Sequence, residues 1–358
     1  LLLLGGATGM IGDPSGRDDE RSLNAGETVS NWIQALRVQV SGFLEFDTQD
    51  GTAAKIVNNL DWTHDLPVID FLRDIGKHFS VNSMIQRDSV KSRLERTNEG
   101  ISYTEFSYML LQAMDFLRLA QNEGCLLQIG GSDQWGNIVS GIDLIRRHTG
   151  ESAFAFTMPL VTKADGTKFG KSAAGAVWID PKKTSPYAFY QFWLNTADAD
   201  VVSFLKLFTF LAQDEIESLE VEIQDRPELR KAHKKLAQEV TTIVHGEQAV
   251  VAAERISAAL FAGDAGQLLE SDLQELQQDG MPCTSCAAGT GLLTAMVEAG
   301  LTKSTGEARK LIQANGIKLN GDSIDDVGRD LTFEDALFKR FYLLRKGKKN
   351  YHLIARPR

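Results

Sequence analysis

Cysteine is scarce in this 358-residue chain: three residues, Cys125, Cys283 and Cys286. So few, and an odd number, exclude a disulfide scaffold and point to a reducing, cytoplasmic setting. Cys283-Thr-Ser-Cys286 has CxxC spacing, but a four-ligand zinc site needs partners. The sequence holds no second CxxC and no HxxxH, so no metal site is expected. Long apolar runs are missing too. None approaches the roughly 20 residues that cross a bilayer, so no membrane partner is expected. Leu1 to Leu4 is too short for a secretory signal core and lacks a basic flank. The chain has no initiator methionine and opens inside what reads as a strand, so residues ahead of Leu1 are expected in the gene product. Basic charge is in deficit, with 38 Lys and Arg against 48 Asp and Glu, which argues against a nonspecific nucleic-acid coat. The deficit is uneven. From Gly291 onward, 13 Lys and Arg face 8 Asp and Glu, a basic terminal module on an acidic body. That pattern suggests local nucleic-acid contact.

The rest is ordinary globular composition, 43% hydrophobic and 24% charged, enough for two or three domains. The most informative stretch is Leu126-Leu-Gln-Ile-Gly-Gly-Ser-Asp-Gln-Trp-Gly-Asn137. Its apolar run reads as a short buried strand. Gly130 and Gly131 stop that strand and allow a tight turn with close backbone approach. Ser132, Asp133, Gln134 and Asn137 crowd polar groups onto the turn, at the kind of strand end where open α/β sheets bind ligands. A second glycine-rich strand end opens the chain, Leu1-Leu-Leu-Leu-Gly-Gly-Ala-Thr-Gly-Met-Ile-Gly-Asp13. GATGMIG also looks like the nucleotide loop of NAD-dependent short-chain dehydrogenases. That fingerprint needs a helix directly after the glycines and an acidic residue about 20 positions on. Here Pro14 and Gly16 delay any helix.

Apolar spacing predicts a helix over 27–46, a strand within 54–62 and a helix over 66–79 opened near Pro67. Ser102-Tyr-Thr-Glu105 is a capping box and places a helix start at Ser102. That helix is apolar nearly all round and should be buried. Tyr108, Gln112 and Asp115 share one of its faces. A phenol, an amide and a carboxylate on a buried helix need partners, in a polar core network or in a pocket that receives a polar ligand. A helix over 136–148 would aim its positive N-terminal end at the glycine turn. A strand over 156–161 feeds Thr162-Lys-Ala-Asp-Gly-Thr-Lys-Phe-Gly-Lys-Ser172. Lys168 and Lys171, beside glycine and serine, can close on phosphates. A GxxxxGK phosphate loop is excluded, because Asp165 stands five before Gly170. Residues 187–280 are helical by period, and 281–291 reads as a linker. The last module reads as two short helices and then strands, with a second capping box at Ser304 and Glu307. Lys303, Arg309, Lys310, Arg345, Lys346, Lys348 and Lys349 there offer phosphate contacts.

GGATGMIGDPSG, the helix from Tyr103 to Asp115, QIGGSDQWGN and MPLVTKADGTKFGKS together resemble the tyrosyl-tRNA synthetases, class I aminoacyl-tRNA synthetases. The resemblance covers essentially the whole chain. It implies an α/β fold: a Rossmann-like parallel-sheet catalytic domain over 1–185, with an inserted dimerisation region at about 40–120. An α-helical anticodon-recognition domain and linker over 186–287 would follow, then a small α+β S4-like RNA-binding domain over 288–358. It implies that Asp13, Tyr108, Gln112 and Gln128 receive the ammonium side of tyrosine and Asp115 its phenol. Gly130, Asp133 and Gln134 would hold ATP. KFGKS corresponds to the family's KMSKS signature, with Lys168, Lys171 and Ser172 catalytic. The implied partners are L-tyrosine, ATP with Mg²⁺, tRNA(Tyr) and a second copy of the chain, with no tightly bound cofactor. The family's HIGH motif is absent from the sequence, and none of the six histidines stands in an HxGH context. Its place in the family is upstream of GGATG, so it is expected among the residues ahead of Leu1. A noncatalytic RNA-binding relative is the alternative, and the intact Asp13, Asp115 and KFGKS argue against it.

Overall fold

Short apolar runs ending in polar residues build the sheet pieces of the first part of the chain. Leu2–Leu4 (β1) ends at the glycine turn, and the chain then makes one helical turn, Thr8–Ile11. Gly26–Val40 (α1) buries Val29 and Ile33 against Leu4. It stops six residues short of the predicted end, where Ser41 and Gly42 turn the chain. Ile56–Asn58 (β2) pairs in parallel with β1, Leu4 opposite Asn58. A computed structural model describes residues 1–13, 23–46, 48, 51–87, 90–91, 94, 101–167, 169–172, 175–287 and 289–357. They divide into two compact units, Leu1–Thr162 and Lys163–Arg358.

The helix predicted over 66–79 is broken. One α-turn at Val68–Asp70 follows Pro67, then a wide π-turn, Phe71–Ile75, then a 3₁₀ turn, Gly76–His78. The changing pitch lets Phe71 and Phe79 pack against two separate core clusters, which a single α-helical stripe would not do. Tyr103–Glu123 (α2) begins as expected. The Ser102 hydroxyl accepts the Glu105 N–H at 3.2 Å, and Gly124 closes the far end in the left-handed conformation. Leu127–Gly131 (β3), Trp135–Thr149 (α3) and Phe154–Met158 (β4) follow. β3 and β4 pair in parallel, Leu127 opposite Phe154. β4 lies earlier than predicted because Pro159 cannot continue a strand ladder. Phe116 and Leu117 of α2 and Ile138, Leu144 and Ile145 of α3 form the main core of this unit. Gly141 permits that approach: a Cβ there would sit 2.8 Å from the Phe116 ring.

The second unit begins with a turn and a small hairpin, Lys171–Ser172 (β5) with Gly175–Ala176 (β6). The main helices that follow are Pro186–Leu194 (α4), Asp198–Phe208 (α5), Gln213–Asp225 (α6), Lys231–His245 (α7) and Glu247–Ala262 (α8). Ser185 caps α4, with Pro186 at its first position. Trp193, Phe204, Leu205, Leu236 and Ile256 are buried between these helices.

The stretch read as a linker is partly a strand. Cys283–Ser285 (β7) pairs in parallel with Asn350–Ala355 (β11), the last strand of the chain. Leu292–Glu298 (α9), Thr305–Gln313 (α10), Ile317–Leu319 (β8), Asp322–Ser323 (β9) and Phe341–Lys346 (β10) complete the module. Its sheet runs β7-β11-β10-β8-β9. Leu292, Met296, Ile312, Leu344 and Ile354 close its core. The module leans on the helices through polar contacts. The Tyr351 hydroxyl donates to the Leu260 carbonyl at 2.5 Å, and the Arg340 guanidinium to Gln277 at 2.9 Å.

Candidate active site

In the first unit, Asp115 sits mid-way along α2 and is 2% exposed. Both of its oxygens are held. Oδ2 accepts from Asn59 Nδ2 at 2.9 Å, and Oδ1 from the Trp62 indole N–H at 2.8 Å. Asn59 cannot turn its amide over freely, because its Oδ1 accepts the Ala7 N–H at 2.7 Å. Its Nδ2 also donates to the Thr8 hydroxyl, tying the glycine turn after β1 to α2. Burial pushes the Asp115 carboxyl up to about 6, against the opposing pull of the Asn59 and Trp62 hydrogen bonds. An ionised carboxylate has room for about four hydrogen bonds, so two fixed donors leave acceptor capacity for a ligand.

Asn59 and Trp62 were not singled out in the sequence, although the signal was there. Asn58-Asn59-Leu60-Asp61-Trp62 crowds polar groups onto the end of a short strand, as the other two strand ends do. Leu60–Thr63 is one helical turn, and it swings Trp62 back toward α2. Gly6 belongs to the same constellation. Its N–H donates to Asn58 Oδ1 at 3.1 Å, and a Cβ at Gly6 would lie 2.2 Å from that oxygen.

A second network joins four of the residues expected at the site. Gln134 Nε2 donates to Asp13 Oδ2 at 2.8 Å, and Gln112 Nε2 donates to Gln134 Oε1 at 3.0 Å. Gln134 also reaches Asp133 at 3.2 Å and receives Asn137 Nδ2 at 3.4 Å. The glycine turns after β1 and β3 thus meet over α2, and Gln134, expected near the nucleotide, is bonded to both Asp13 and Gln112. Tyr108 is buried on the same helix, one turn ahead of Gln112. Gln128 lies on β3, and its buried Oε1 has no hydrogen-bond partner among the described residues. Gly130 packs against Gln134 and Ile138 at the start of α3, where a Cβ would meet the Gln134 Cβ at 3.1 Å.

The KFGKS stretch belongs to the second unit. Lys168 lies outside the described residues. Lys171 and Ser172 form β5, of which the backbone alone is described. Before them the chain makes a tight turn. The Lys163 N–H donates to the Thr167 carbonyl at 2.9 Å, and Asp165 Oδ1 accepts the Thr167 N–H and hydroxyl. Those hydrogen bonds hold the Asp165 carboxyl below its usual range.

The cations expected to meet RNA differ in their freedom. Lys303, Arg309, Lys310, Lys348 and Lys349 are exposed. Arg345 donates to the Tyr351 hydroxyl at 3.1 Å and lies so close to Gly263 that a Cβ there would overlap its guanidinium. Lys346 donates to the Leu301 carbonyl at 2.6 Å and stands 3.6 Å from Glu307. These two are engaged within the second unit.

Comparison with known proteins covers nearly the whole chain. Residues 1–262 match the family model described as tRNA synthetases class I (W and Y), and residues 272–354 match the tyrosine–tRNA ligase SYY-like C-terminal domain. The chain is 54% identical over 355 residues to the tyrosine–tRNA ligase of Salmonella arizonae, covering 99% of this chain and 83% of that one. The Geobacillus stearothermophilus tyrosine–tRNA ligase is also 54% identical, with 84% of its length covered. Among solved structures, a C-terminally truncated Aspergillus nidulans mitochondrial tyrosyl-tRNA synthetase matches at a TM-score of 0.62 and 31% identity. That match covers 72% of this chain and 76% of the other. The dehydrogenase reading of GATGMIG is thereby set aside, as is that of a relative without enzymatic activity. The first unit is the Rossmann-like core, the helices and the small C-terminal sheet follow in the family order, and the chain belongs to the tyrosine–tRNA ligase family of class I aminoacyl-tRNA synthetases.

Proposed function

We propose that the chain ligates tyrosine to tRNA with Asp115 as the group that reads the substrate phenol. The observation that carries this is a buried carboxylate held from one side by Asn59 and Trp62, with acceptor capacity left over. The Asp13–Gln134–Gln112 network, with Tyr108 and Gln128, supplies carboxylate, amide and phenol groups suited to an ammonium. A tyrosine bound between them meets a hydroxyl reader at one end and an ammonium cradle at the other. Phenylalanine would leave Asp115 buried without its ligand hydrogen bond. Tyrosyl-tRNA synthetases are themselves the standard example of that kind of discrimination.

In the first step the tyrosine carboxylate attacks the α-phosphate of ATP, and the α–β bridge breaks to release pyrophosphate. Gly130, Asp133 and Gln134 are proposed to hold the nucleotide. Lys168 and Lys171, with Ser172, meet the negative charge that builds on the leaving pyrophosphate. Mg²⁺ arrives with ATP. In the second step a ribose hydroxyl at the 3′ end of tRNA(Tyr) takes the acyl group, and AMP leaves. No protein nucleophile is required, and catalysis is positioning plus charge stabilisation. The exposed cations Lys303, Arg309, Lys310, Lys348 and Lys349 engage the tRNA backbone, with Arg345 and Lys346 supporting that surface from their intramolecular contacts. The protein acts in the cytoplasm as a homodimer. The dimer proposal is supported by exposed Val68, Ile69, Leu72, Val81, Ile85 and Tyr103 in and beside the segment 68–103.

The test separates binding from chemistry in the full gene product. Asp13→Ala should weaken tyrosine binding. Lys171→Ala should slow tyrosine-dependent pyrophosphate exchange while leaving the tyrosine Kd within about twofold, because its partner charge exists only in the transition state. Equal loss of rate and affinity in the lysine variant would overturn its assignment.

A further inference from the structure

The lysine-bearing turn is fastened to one helix at two points. Asp200, in the first turn of α5, is 6% exposed, and its Oδ1 accepts the Ala164 N–H at 2.6 Å. A carboxylate buried this far is expensive unless it is bonded, and Asp200 is bonded to the turn. Five residues along, Phe169, the aromatic of KFGKS, enters a ring cluster. Its centroid lies 4.9 Å from Phe204 and 5.1 Å from Phe208, both on α5, and 5.4 Å from Trp193 and 5.7 Å from Phe192 on α4. Offset and edge-on contacts of this kind hold a side chain more firmly than area alone.

The backbone around these anchors is jointed. Gly166 and Gly170 both have positive φ, +80° and +88°, with open space where a side chain would be. They flank the anchored ring, at positions that side chains rarely tolerate. A cavity of about 940 Å³ separates the rest of the turn from α4 and α5, lined by Lys163, Asp165, Phe169, Gln191, Asp200 and Phe204 among others. Among the described residues the turn is thus pinned at Ala164 and Phe169, with positive-φ glycines at 166 and 170 and a cavity against α4 and α5.

We propose that Asp200 and Phe169 are positioning residues for adenylate formation: they fix the KFGKS turn to α5, so that this helix sets where the lysines are presented. The inference rests on the phosphate role of those lysines argued above. Neither residue touches substrate, and both act through the backbone that carries Lys168 and Lys171. A buried helix gives the turn a fixed base from which its lysines can meet the developing charge.

The experiment uses the full gene product and measures equilibrium tyrosine binding beside the single-turnover rate of adenylate formation. Asp200→Ala and Phe169→Ala are each expected to lower that rate by about tenfold or more, the scale of a misplacement of about 1 Å. The tyrosine Kd should stay within about twofold. Asp200→Asn, which keeps an acceptor oxygen, and Phe169→Leu, which keeps an apolar plug, should recover most of the rate. In a Lys168→Ala/Lys171→Ala background neither alanine substitution should add a further loss, because the turn then has no lysine to present. Wild-type rates in Asp200→Ala and Phe169→Ala, or losses that add in full to those of the lysine variant, would refute the anchoring role. If the lysine variant itself kept the wild-type rate, the phosphate role beneath the inference would fall, and the inference with it. Should Phe169→Ala not fold, Asp200→Ala, which removes one hydrogen bond, decides alone.

Discussion

Replacing Asp115 with asparagine removes a charge and almost no volume, yet the surroundings make it a severe change. The carboxylate accepts from two donors, Asn59 Nδ2 and the Trp62 indole N–H. An asparagine has one acceptor oxygen, so its amide group must face one of those donors. Asn59 cannot compensate by flipping, since its own oxygen is held by the Ala7 N–H at 2.7 Å. The hydrogen bond to the substrate phenol also changes from charged to neutral or is lost. Hydrogen bonds to charged groups contribute about 1.5–3 kcal/mol, so tyrosine affinity should fall by about 10- to 150-fold. Equilibrium dialysis with labelled tyrosine measures this, and phenylalanine binding should change much less. The same carboxyl should leave a signature in stability. Burial raises it from 3.8 to about 6, so the folded chain binds this proton more tightly than the unfolded chain. A raised value means the contribution is full below about 3.8 and is lost as pH rises through about 6. A shift of that size corresponds to about 3 kcal/mol at most. Urea unfolding of wild type and Asp115→Asn across pH 4 to 7 should therefore show the gap between them shrinking, or reversing, as pH rises. Unchanged tyrosine affinity in Asp115→Asn, or a stability gap independent of pH, would refute this account of the site.

Gly141→Ala should destabilise the first unit by about 1–3 kcal/mol, because its new Cβ meets the Phe116 side chain at 2.8–2.9 Å; thermal unfolding measures it. Ile69→Asp with Leu72→Asp should shift the protein toward monomer in sedimentation, since both are exposed apolar residues of the segment proposed to pair. Neutralising Lys303, Arg309, Lys310, Lys348 and Lys349 should weaken tRNA binding and flatten its salt dependence while adenylate formation survives, and equal salt slopes in variant and wild type would deny these residues an RNA role. A truncation that removes the terminal module should begin at Met281 rather than Gly291, because β7 at Cys283–Ser285 is a strand of its sheet. The shorter cut should leave the remainder less soluble, as measured by light scattering, through an unpaired strand.

Local chemistry was legible in the sequence wherever a few neighbouring residues decide the outcome. The capping serine at Ser102, the strand ends at the two glycine turns, the buried α2 with its polar face and the helical run after Pro186 all follow from spacing, caps and breakers within one or two turns of chain. The family signatures carried the rest of the assignment. What the sequence could not disclose was partnership at a distance. Asp115 and Asn59 are 56 residues apart, and Asp13 and Gln134 are 121 apart. Their meeting depends on the register of β1 with β2, Leu4 opposite Asn58, and on how closely Gly141 lets α3 approach α2. The change of pitch across 68–78 was equally hidden, because two core clusters compete for Phe71 and Phe79 and no local preference records that. Arg345, expected among the phosphate contacts, donates to Tyr351 beside Gly263, and Asp200, silent in the sequence, is buried against the turn that carries the lysines. Caps and periodicity act over a few residues and are written in order along the chain. Hydrogen-bond partners, burial and the pKa of a carboxyl are set by whatever the fold brings alongside, and only the tertiary structure decides that.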